Sequence, residues 1–298
     1  MKKYTTVLSI AGSDSIGGAG IQADIKTCCA LDVYAMTAIT AVTAQNTCGV
    51  VSYQSVGAKL LAEQLEAVCS DVMPDAVKIG MVPDADCANA IADAIEKFQL
   101  KRIVLDPVMV ATSGDALSDS SAIAVLAKRV FPLATLITPN LPEATALFSH
   151  RGQVPVGEQG SHADLSPVGE EAPFRETVDR FFSPFIPKGI TPSAIASLYG
   201  WIGVLVKGGH GDGRVLVDRL WWKGTECEFR HPLVDTVNTH GTGCSLSTAI
   251  ACFLAKGEDV PQAVERAIDW LQHAIAAGAD YELGHGHGSV RHGWENEK

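Results

Sequence analysis

Glycines, threonines and a cysteine suited to binding an anion stand together at Asn238–Cys244, directly before an apolar run typical of a helix, Ser245–Leu254. Two glycines before a helix let the backbone approach a ligand closely, and the first free N–H groups of the helix then bind an anion. A tight loop that ends in a capping residue would have the same sequence. The choice between these readings depends on whether other parts of the chain supply partners for an anion.

Four further clusters of glycines and polar residues lie where strands are predicted to end: Gly12–Gly20, Asp106–Met109, Asn140–Glu143 and Lys207–His210. Together with Asn238–Cys244 they offer glycine-lined backbone, carboxylates, an ammonium group and a helix N-terminus. Phosphoryl transfer uses these parts because it depends on positioning and on stabilising the charge of the moving group. The clusters therefore indicate a phosphotransferase.

Two other nucleotide-binding patterns are absent or incomplete. The P-loop pattern Gly-x-x-x-x-Gly-Lys-Ser/Thr does not occur in the sequence. Gly18–Ala23 fits the loose Gly-x-Gly-x-x-Ala form of the dinucleotide fingerprint. That fingerprint requires an acidic residue about 20 positions further on, but none lies between Asp32 and Glu63. Hydride transfer is therefore disfavoured.

The elements that must position these clusters alternate between strand and helix, which predicts an α/β fold with right-handed crossovers and a parallel sheet covered on both faces. Ligands of such sheets bind at the carboxyl ends of the strands. The predicted strands are Thr5–Ala11, Tyr34–Ala44, Ala76–Ile79, Arg102–Leu105, Thr135–Ile137 and Gly203–Val206, followed by an antiparallel meander of Arg214–Trp222 and Glu226–Arg230. The predicted helices are one with Ile21, Ile25 and Cys28 on its inner face, then Leu60–Val72, Ala85–Phe98, Ser120–Val130 and Val260–Ala277.

Residues 1–298 are predicted to form one domain, because the chain shows no internal repeat and no second charge regime. The alternation breaks from about residue 149 to 192, where Gly, Pro, Ser and charged residues prevail. We interpret this stretch as a mobile insertion in the domain.

Composition excludes some partners. The 298 residues are 47% hydrophobic, the formal net charge is −11 and the pI is near 5.2. Without a basic stripe, such a protein is not attracted to nucleic acid or to an anionic membrane surface. Met1–Val7 leads directly into a predicted strand, and no uninterrupted apolar segment reaches the ~20 residues that a bilayer requires. We predict a cytoplasmic protein that binds neither nucleic acid nor membranes.

The eight cysteines contain no Cys-x-x-Cys pair, so neither a zinc site nor a redox motif is supported. Cys244 is distinguished by its position, because a thiol at a helix N-terminus can have a lowered pKa. Six others are predicted to lie in or near the core, mostly as small buried hydrophobic residues: Cys28, Cys29, Cys48, Cys69, Cys87 and Cys252.

Seven collinear segments closely resemble the hydroxymethylpyrimidine/phosphomethylpyrimidine kinases of thiamine biosynthesis, which belong to the ribokinase-like family. The segments are Ala11–Thr27, Ala41–Thr47, Lys78–Met81, Leu105–Met109, Thr138–Ala144, Val206–His210 and Asn238–Cys244, and the ending Gly284–Gly288 is similar as well. The resemblance implies a three-layer α/β/α sandwich with a central, mostly parallel sheet, and a homodimer. It further implies ATP-dependent phosphorylation of 4-amino-5-hydroxymethyl-2-methylpyrimidine and then of its monophosphate, with Mg²⁺.

For the pyrimidine, the resemblance implies a binding site made of Gln45, Met81, Val42, Gly12, Asp14 and Val108. The Gln45 amide donates and accepts together, which suits an aminopyrimidine edge; the alternative is a solvated loop amide. Met81 and Val42 would hold the flat ring between them, or would belong to the core. Asp14 would hold the hydroxymethyl group or would cap the following helix.

For ATP, the resemblance implies that Asn140, Lys207 and Gly209 contact the nucleotide phosphates. Gly241, Thr242 and Gly243 would form the anion hole for the transferring γ-phosphoryl group. Asp106 and Glu143 would bind Mg²⁺ through bridging water, and a helix cap or a surface salt bridge is the alternative for both. No basic residue for the first phosphate of the second reaction can be named.

Cys244 stands where much of the ribokinase-like family has an Asp that takes the proton of the attacking hydroxyl. The Cys is either the base, a group that positions the substrate, or a buried thiol beside the site. A loose transition state asks for little help from a base until bond formation is advanced. The role of its sulfur therefore stays open at this level.

Two other functions compete with the pyrimidine kinase. One is pyridoxal or pyridoxine kinase of the same family, because the rings are similar. The other is a catalytically silent nucleotide-binding protein. This alternative is disfavoured because the sequence retains Asp106, Glu143, Lys207 and the glycine turn. The histidines near the end are interpreted as a structural or exposed terminus rather than a metal site: His285, His287 and His292.

Overall fold

A computed structural model of the protein describes residues 2–109, 118–148, 202–208 and 214–294. The predicted insertion at about 149–192 and the predicted nucleotide contact Gly209 lie outside these ranges. Within them, no helix combines the length and the apolar character needed to cross a membrane.

A nine-stranded sheet forms the centre of the described fold. Its strands are β1 Thr6–Ser13, β2 Tyr34–Asn46, β3 Gly49–Ser55, β4 Ala76–Ile79, β5 Ile103–Leu105, β6 Leu136–Ile137, β7 Gly203–Val206, β8 Val215–Trp222 and β9 Thr225–Pro232. Across the sheet they follow the order β3-β2-β1-β4-β5-β6-β7-β8-β9. The neighbours from β2 to β7 are parallel, whereas β3, β8 and β9 pair antiparallel. The predicted parallel sheet with a terminal antiparallel meander is confirmed.

Helices cover both faces of the sheet, which confirms the three-layer α/β/α architecture. They are α1 Gly20–Ala30, α2 Ala58–Cys69, α3 Ala85–Phe98, α4 Ser120–Val125, α5 Leu141–Phe148, α6 Thr242–Ala255 and α7 Val260–Gly278. The predicted helix Ser120–Val130 corresponds to α4 and a following π-helical turn, Leu126–Val130. The predicted helix Leu60–Val72 begins two residues earlier and ends at Cys69.

Two hydrophobic cores lie on opposite sides of the sheet, because successive strand residues face opposite ways. In β1, Leu8 and Ile10 pack with α2, α3 and α4, whereas Val7 packs with α1, α6 and α7. All three side chains are 0% exposed. The alternation in this one strand therefore fixes which helices lie on which face.

The inner face of α1 differs from the prediction. Ile21 and Cys28 are buried as expected, but Ile25 is 38% exposed and the inner position is taken by Asp24. Asp24 turns inward because Lys78 of β4 lies opposite it, with Nζ 2.8 Å from Oδ2. A buried ion pair, invisible to a hydrophobicity pattern, thus rotates the helix away from Ile25.

Two cysteines predicted to be core or near-core, Cys29 and Cys48, are exposed. Cys29 follows the buried Cys28 in α1, so the helical period turns it outward. Cys48 lies between β2 and β3, and β3 itself was not predicted. This edge strand is largely exposed, so it lacks the alternating apolar pattern by which strands are recognised.

Candidate active site

The predicted site residues converge at one edge of the sheet, where the parallel strands end. Asp14 directly follows β1, Asp106 follows β5 and Lys207 follows β7. Asn140 forms an isolated parallel bridge with Lys207. This is the edge at which open α/β sheets bind ligands.

The turn before α6 is held against the loop that follows β1. Gly241, the N-cap of α6, has φ +81°, a conformation that favours glycine. A Cβ on Gly241 would lie only 1.8 Å from the carbonyl oxygen of Gly18. Gly241 has no side chain with which to cap the helix. The Thr242 N–H donates to the Thr239 carbonyl at 3.3 Å, so the N–H groups of Gly243 and Cys244 are the ones in this first turn that suit an anionic ligand.

Lys207 and Asp106 form an ion pair next to this helix N-terminus. Lys207 Nζ lies 2.8 Å from Asp106 Oδ1, which also accepts a hydrogen bond of 3.1 Å from the Thr138 hydroxyl. A Cβ added to Gly243 would lie 3.4 Å from Lys207 Nζ and 3.5 Å from Asp106 Oδ2. The cation, the carboxylate and the glycine turn therefore surround one small space.

Asn140 and Glu143 cap the start of α5 for each other. The Asn140 N–H donates to Glu143 Oε2, the Glu143 N–H donates to Asn140 Oδ1, and both bonds are 2.8 Å. This reciprocal pair is a capping box. Glu143 therefore caps α5, as its alternative role predicted. Asp106, Asn140, Glu143 and Lys207 are together called the charged cluster.

Burial and mutual charge shift the pKa values of Glu143 and Lys207 in the charged cluster. Burial raises the pKa of Glu143 to about 7, with a further upward contribution from Asp106 and an opposing one from Lys207. For Lys207, burial acts to lower the pKa, but the carboxylates of Asp106 and Glu143 outweigh it and raise the pKa. Two carboxylates that repel each other around one lysine are stabilised by additional positive charge.

The donor chemistry of Asp106 and Glu143 fits a divalent cation. Mg²⁺ prefers oxygen ligands and is held by one or two carboxylates together with water and substrate phosphates. Among the described residues, no group of three or more His, Cys, Asp and Glu side chains is arranged to hold a metal. Binding of Mg²⁺ by Asp106 and Glu143 stays a prediction.

A small apolar cluster lies beside the charged cluster. Met81 and Ala41 are buried, and Val108 packs partly buried against them. A Cβ on Gly12 would lie 2.9 Å from Met81 Sδ, so Gly12 leaves room for that side chain. Gly12, Ala41, Met81 and Val108 are called the apolar cluster. Val42 lies outside it and is 52% exposed, so its predicted contact with the ring stays a prediction.

Asp14 organises the loop between β1 and α1. Its carboxylate accepts hydrogen bonds from the N–H groups of Ile16, Gly18 and Ala19, and His240 Nε2 lies 2.9 Å from Oδ2. Burial acts to raise the pKa of Asp14, but these bonds and the charge of His240 lower it below its usual value. Asp14 does not cap α1, whose N-cap is Ala19; contact with a hydroxymethyl group stays a prediction.

Cys244 lies in the first turn of α6 and is partly enclosed. Its enclosed position raises the pKa of the thiol, although the charge of Lys78 and a hydrogen bond from the Gly20 N–H act to lower it. The lowered pKa that a helix N-terminus suggested is therefore wrong for this site.

Two buried features were not assigned a role from the sequence. Lys78 and Asp24 are both 0% exposed, and the Thr248 hydroxyl donates to Asp24 Oδ1 at 2.7 Å. A lone lysine within the apolar strand β4 was the available signal, since a buried charge requires a partner. The other is His240, whose contact with Asp14 joins residues 226 positions apart and has no local signal.

The end of the described chain packs beside the site. The Gly288 carbonyl accepts from the His240 N–H at 3.0 Å. His292 is buried, with Nε2 2.9 Å from the Ser245 hydroxyl of α6, whereas His285 and His287 are exposed. The predicted structural or exposed terminus describes all three histidines.

The fold and the site define a class of protein. A three-layer sheet whose carboxyl edge holds a glycine turn, a helix N-terminus, a lysine and two carboxylates belongs to the ribokinase-like phosphotransferases. The family model described as phosphomethylpyrimidine kinase matches residues 14–163 and 191–291. The chain belongs to the phosphomethylpyrimidine kinase family.

Known relatives are similar over nearly the whole chain. A hydroxymethylpyrimidine/phosphomethylpyrimidine kinase of Rhizobium meliloti is 44% identical over 285 residues, 96% of each chain. One of Escherichia coli is 40% identical over 290 residues, 97% of this chain and 98% of its own. The crystal structure of phosphomethylpyrimidine kinase from Clostridium difficile superposes with a TM-score of 0.67 at 36% identity, covering 91% of this chain and 99% of that one. The crystal structure of an ADP complex of Bacillus subtilis pyridoxal kinase superposes with a TM-score of 0.76 at 29% identity, covering 99% of this chain and 100% of that one.

Proposed function

We propose that the chain transfers the γ-phosphoryl group of ATP to the hydroxyl of 4-amino-5-hydroxymethyl-2-methylpyrimidine and then phosphorylates the monophosphate to the diphosphate. The observation that carries this proposal is the Lys207–Asp106 pair beside Gly243 at the N-terminus of α6. The apolar cluster at the same sheet edge offers a surface for a flat ring. The names of the relatives support the choice of substrate.

In this proposal the anion hole and the lysine carry the chemistry. The hydroxyl oxygen attacks the γ-phosphorus while the bond to ADP breaks, and charge is spread over the moving group. The N–H groups of Gly243 and Cys244 and the ammonium of Lys207 stabilise that charge. Asn140, bridged to Lys207, would contact the remaining nucleotide phosphates, as would Gly209.

Mg²⁺ belongs to the proposal through Asp106 and Glu143, which would hold it with water and nucleotide oxygens. When bound, it neutralises charge on the phosphates. Lys207 is paired with Asp106 at 2.8 Å and so stays at the place where this charge concentrates. The ion pair positions the lysine before ATP arrives.

Cys244 is assigned a positioning role rather than that of a base. Enclosure raises the pKa of its thiol, so a thiolate would first have to form before it could accept a proton. A loose transition state places little negative charge on the attacking oxygen early in the reaction. In this proposal the sulfur holds the hydroxyl in line, and the hydroxyl proton passes to an oxygen of the transferred phosphoryl group after bond formation is advanced.

Gln45 and Met81 would recognise the ring. The Gln45 amide offers a donor and an acceptor to the amino group and ring nitrogen of the aminopyrimidine. Met81 lies 7% exposed beside Gly12 and Val108, where it gives the ring an apolar face. Val42 would cover the opposite face.

We also propose that the active protein is a homodimer. The edge strand β3 carries Val51 and Tyr53, which are 77% and 41% exposed. An exposed apolar edge strand is a template for pairing with another chain. Light scattering on a size-exclusion peak should give twice the 31.4 kDa of one chain, and a single-chain mass would refute the dimer.

Pyridoxal kinase is the second candidate. Its supporting observation is the close superposition with pyridoxal kinases, which is tighter than that with the pyrimidine kinase of Clostridium difficile. The apolar cluster itself does not distinguish the two rings. A pyridoxal kinase would turn over pyridoxal markedly better than the pyrimidine alcohol, even if it accepts both.

Product analysis tests the proposed function. With ATP, Mg²⁺ and the pyrimidine alcohol, mass spectrometry should detect the monophosphate first and the diphosphate later. Absence of both products, with the protein folded by circular dichroism, would refute the proposal. Absence of transfer to a panel of other alcohols as well would indicate a silent nucleotide-binding protein.

A further inference from the structure

His240 joins the charged side of the site to the side that faces the ring. It directly precedes the glycine turn of α6, and its side chain is 10% exposed. Its Nε2 atom lies 2.9 Å from Asp14 Oδ2 and 3.4 Å from the amide nitrogen of Gln45. The imidazole therefore contacts the side chain that is proposed to recognise the pyrimidine.

The Asp14 contact decides where the imidazole carries a hydrogen. The ionised carboxylate only accepts hydrogen bonds, so Nε2 of His240 is the donor. A second donor, the NH₂ group of Gln45, cannot bond to this N–H. The oxygen and nitrogen of an amide are interchangeable in shape and are assigned from their partners. The partner on this side of Gln45 requires the amide oxygen.

Thr43 requires the same orientation from the other side. Its hydroxyl lies 3.0 Å from the Ser13 carbonyl oxygen and 3.3 Å from the amide oxygen of Gln45. The single hydroxyl hydrogen goes to the carbonyl, which accepts only, so the lone pairs of the hydroxyl face the amide. An NH₂ group satisfies them and an oxygen does not. Both neighbours thus require the Gln45 oxygen toward His240 and its nitrogen toward Thr43.

We propose that His240 and Thr43 are positioning residues that lock the Gln45 amide in this orientation for the incoming ring. One lone pair and one hydrogen of the amide then remain for the ligand, in a fixed order. An aminopyrimidine edge matches them, with its amino hydrogen on the oxygen and its ring nitrogen on the NH₂ group. The inference rests on the proposed role of Gln45. It implies that His240 and Thr43, which orient the amide, determine the specificity for the ring.

Steady-state kinetics with the pyrimidine alcohol and ATP test this arrangement in the full chain. His240→Ala is expected to raise the KM for the pyrimidine about tenfold, the value of one well-placed hydrogen bond, and to change the KM for ATP less than about twofold. His240→Gln, which places an amide N–H near the former Nε2 position, should recover most of the loss. His285→Ala, an exposed histidine of the neighbouring segment, is the matched control and should change neither constant.

Coupling to Gln45 separates this role from a merely structural one. In a Gln45→Ala background, His240→Ala should raise the KM for the pyrimidine less than about threefold further, because the amide it positions is gone. A full tenfold rise in that background, or an equal rise in both KM values, would overturn the inference. Absence of turnover by the unaltered protein would instead overturn the proposed function.

Thr43→Val tests the other half of the arrangement without touching the glycine turn. It is nearly isosteric and should raise the KM for the pyrimidine about threefold to fivefold, with the KM for ATP unchanged. This variant decides the question where His240→Ala does not fold, as judged by circular dichroism. An unchanged KM for the pyrimidine in Thr43→Val would overturn the inference.

Discussion

The charged cluster and the apolar cluster share one edge of the sheet, but their side chains are held in place by different forces. In the charged cluster an ion pair and a capping box fix Asp106, Lys207 and Glu143. In the apolar cluster, Gly12 admits the Met81 side chain and packing fixes its place. One edge of the sheet therefore positions one group of side chains by electrostatic interactions and the other by steric packing.

The two clusters should therefore control different kinetic constants. Groups that stabilise the moving phosphoryl group act mainly in the transition state and so determine kcat. Groups that contact the substrate ring, where no bond breaks, bind the ground state and the transition state equally well and so determine KM. A glycine in each region allows a matched test of this division.

The largest effect is expected from Gly243→Asp in the glycine turn. A side chain here enters the space 3.4 Å from Lys207 Nζ and 3.5 Å from Asp106 Oδ2, fills the anion hole and adds a negative charge. We expect kcat to fall by about a thousandfold or more, with the fold retained. Initial rates of ADP formation and circular dichroism measure both.

Gly224→Asp is the matched control for that change. Gly224 lies in the turn between β8 and β9, where an added Cβ meets no described atom within 4 Å. Its φ of +79° disfavours a side chain, but Asp adopts this conformation more readily than most residues, and circular dichroism checks that the fold is retained. Its activity should stay within about twofold of the original, because it lies far from any transferred charge. Full activity in Gly243→Asp would show that the turn before α6 is not the anion hole.

Gly12→Ala is the counterpart in the apolar cluster, with a smaller expected effect. The new methyl group lies 2.9 Å from Met81 Sδ and moves that flexible side chain into the ring space. The KM for the pyrimidine should rise about tenfold, while kcat and the KM for ATP change less than about threefold. A loss confined to kcat would contradict the division between the clusters.

The smallest effect concerns stability and pH. Because burial raises the pKa of Glu143 to about 7 from 4.5, its contribution to stability is complete below pH 4.5 and is lost as the pH rises through 7. Glu143→Gln keeps the capping box, since Gln also serves at this position. At pH 8 the variant should be more stable than the original by about 3 kcal/mol, and at pH 4 the two should be equal.

Urea unfolding at the two pH values measures that difference. A variant less stable at pH 8 would show that the Glu143 carboxylate is not under electrostatic strain in the charged cluster. The same variant should also turn over more slowly, because it removes one of the two proposed Mg²⁺ ligands. Activity restored by raising the Mg²⁺ concentration would place the loss in cation binding.

The layout of the fold and the convergence of the site were predictable from the sequence for a physical reason. Alternating strands and helices force parallel pairing, and parallel strands end at one edge. Asp106 and Lys207 lie 101 positions apart, yet this rule alone placed them together. The spacing of Asn140 and Glu143 is also that of a capping box, so their contact had a sequence signal.

Contacts that depend on the third dimension were not predictable in the same way. Asp24 faces inward because it pairs with the buried Lys78, whereas the hydrophobicity pattern alone predicted Ile25 on the inner face of α1. The raised pKa of the Cys244 thiol depends on enclosure by residues far away in the chain. His240 has no helical or strand period to reveal that it touches Gln45 and Asp14.

The proposed substrate is tested by a side-by-side assay of ATP consumption with three acceptors: the pyrimidine alcohol, its monophosphate and pyridoxal. We expect turnover of both pyrimidine compounds, with kcat/KM for the alcohol at least about tenfold above that for pyridoxal. A kcat/KM for pyridoxal above that for the pyrimidine alcohol would contradict this expectation.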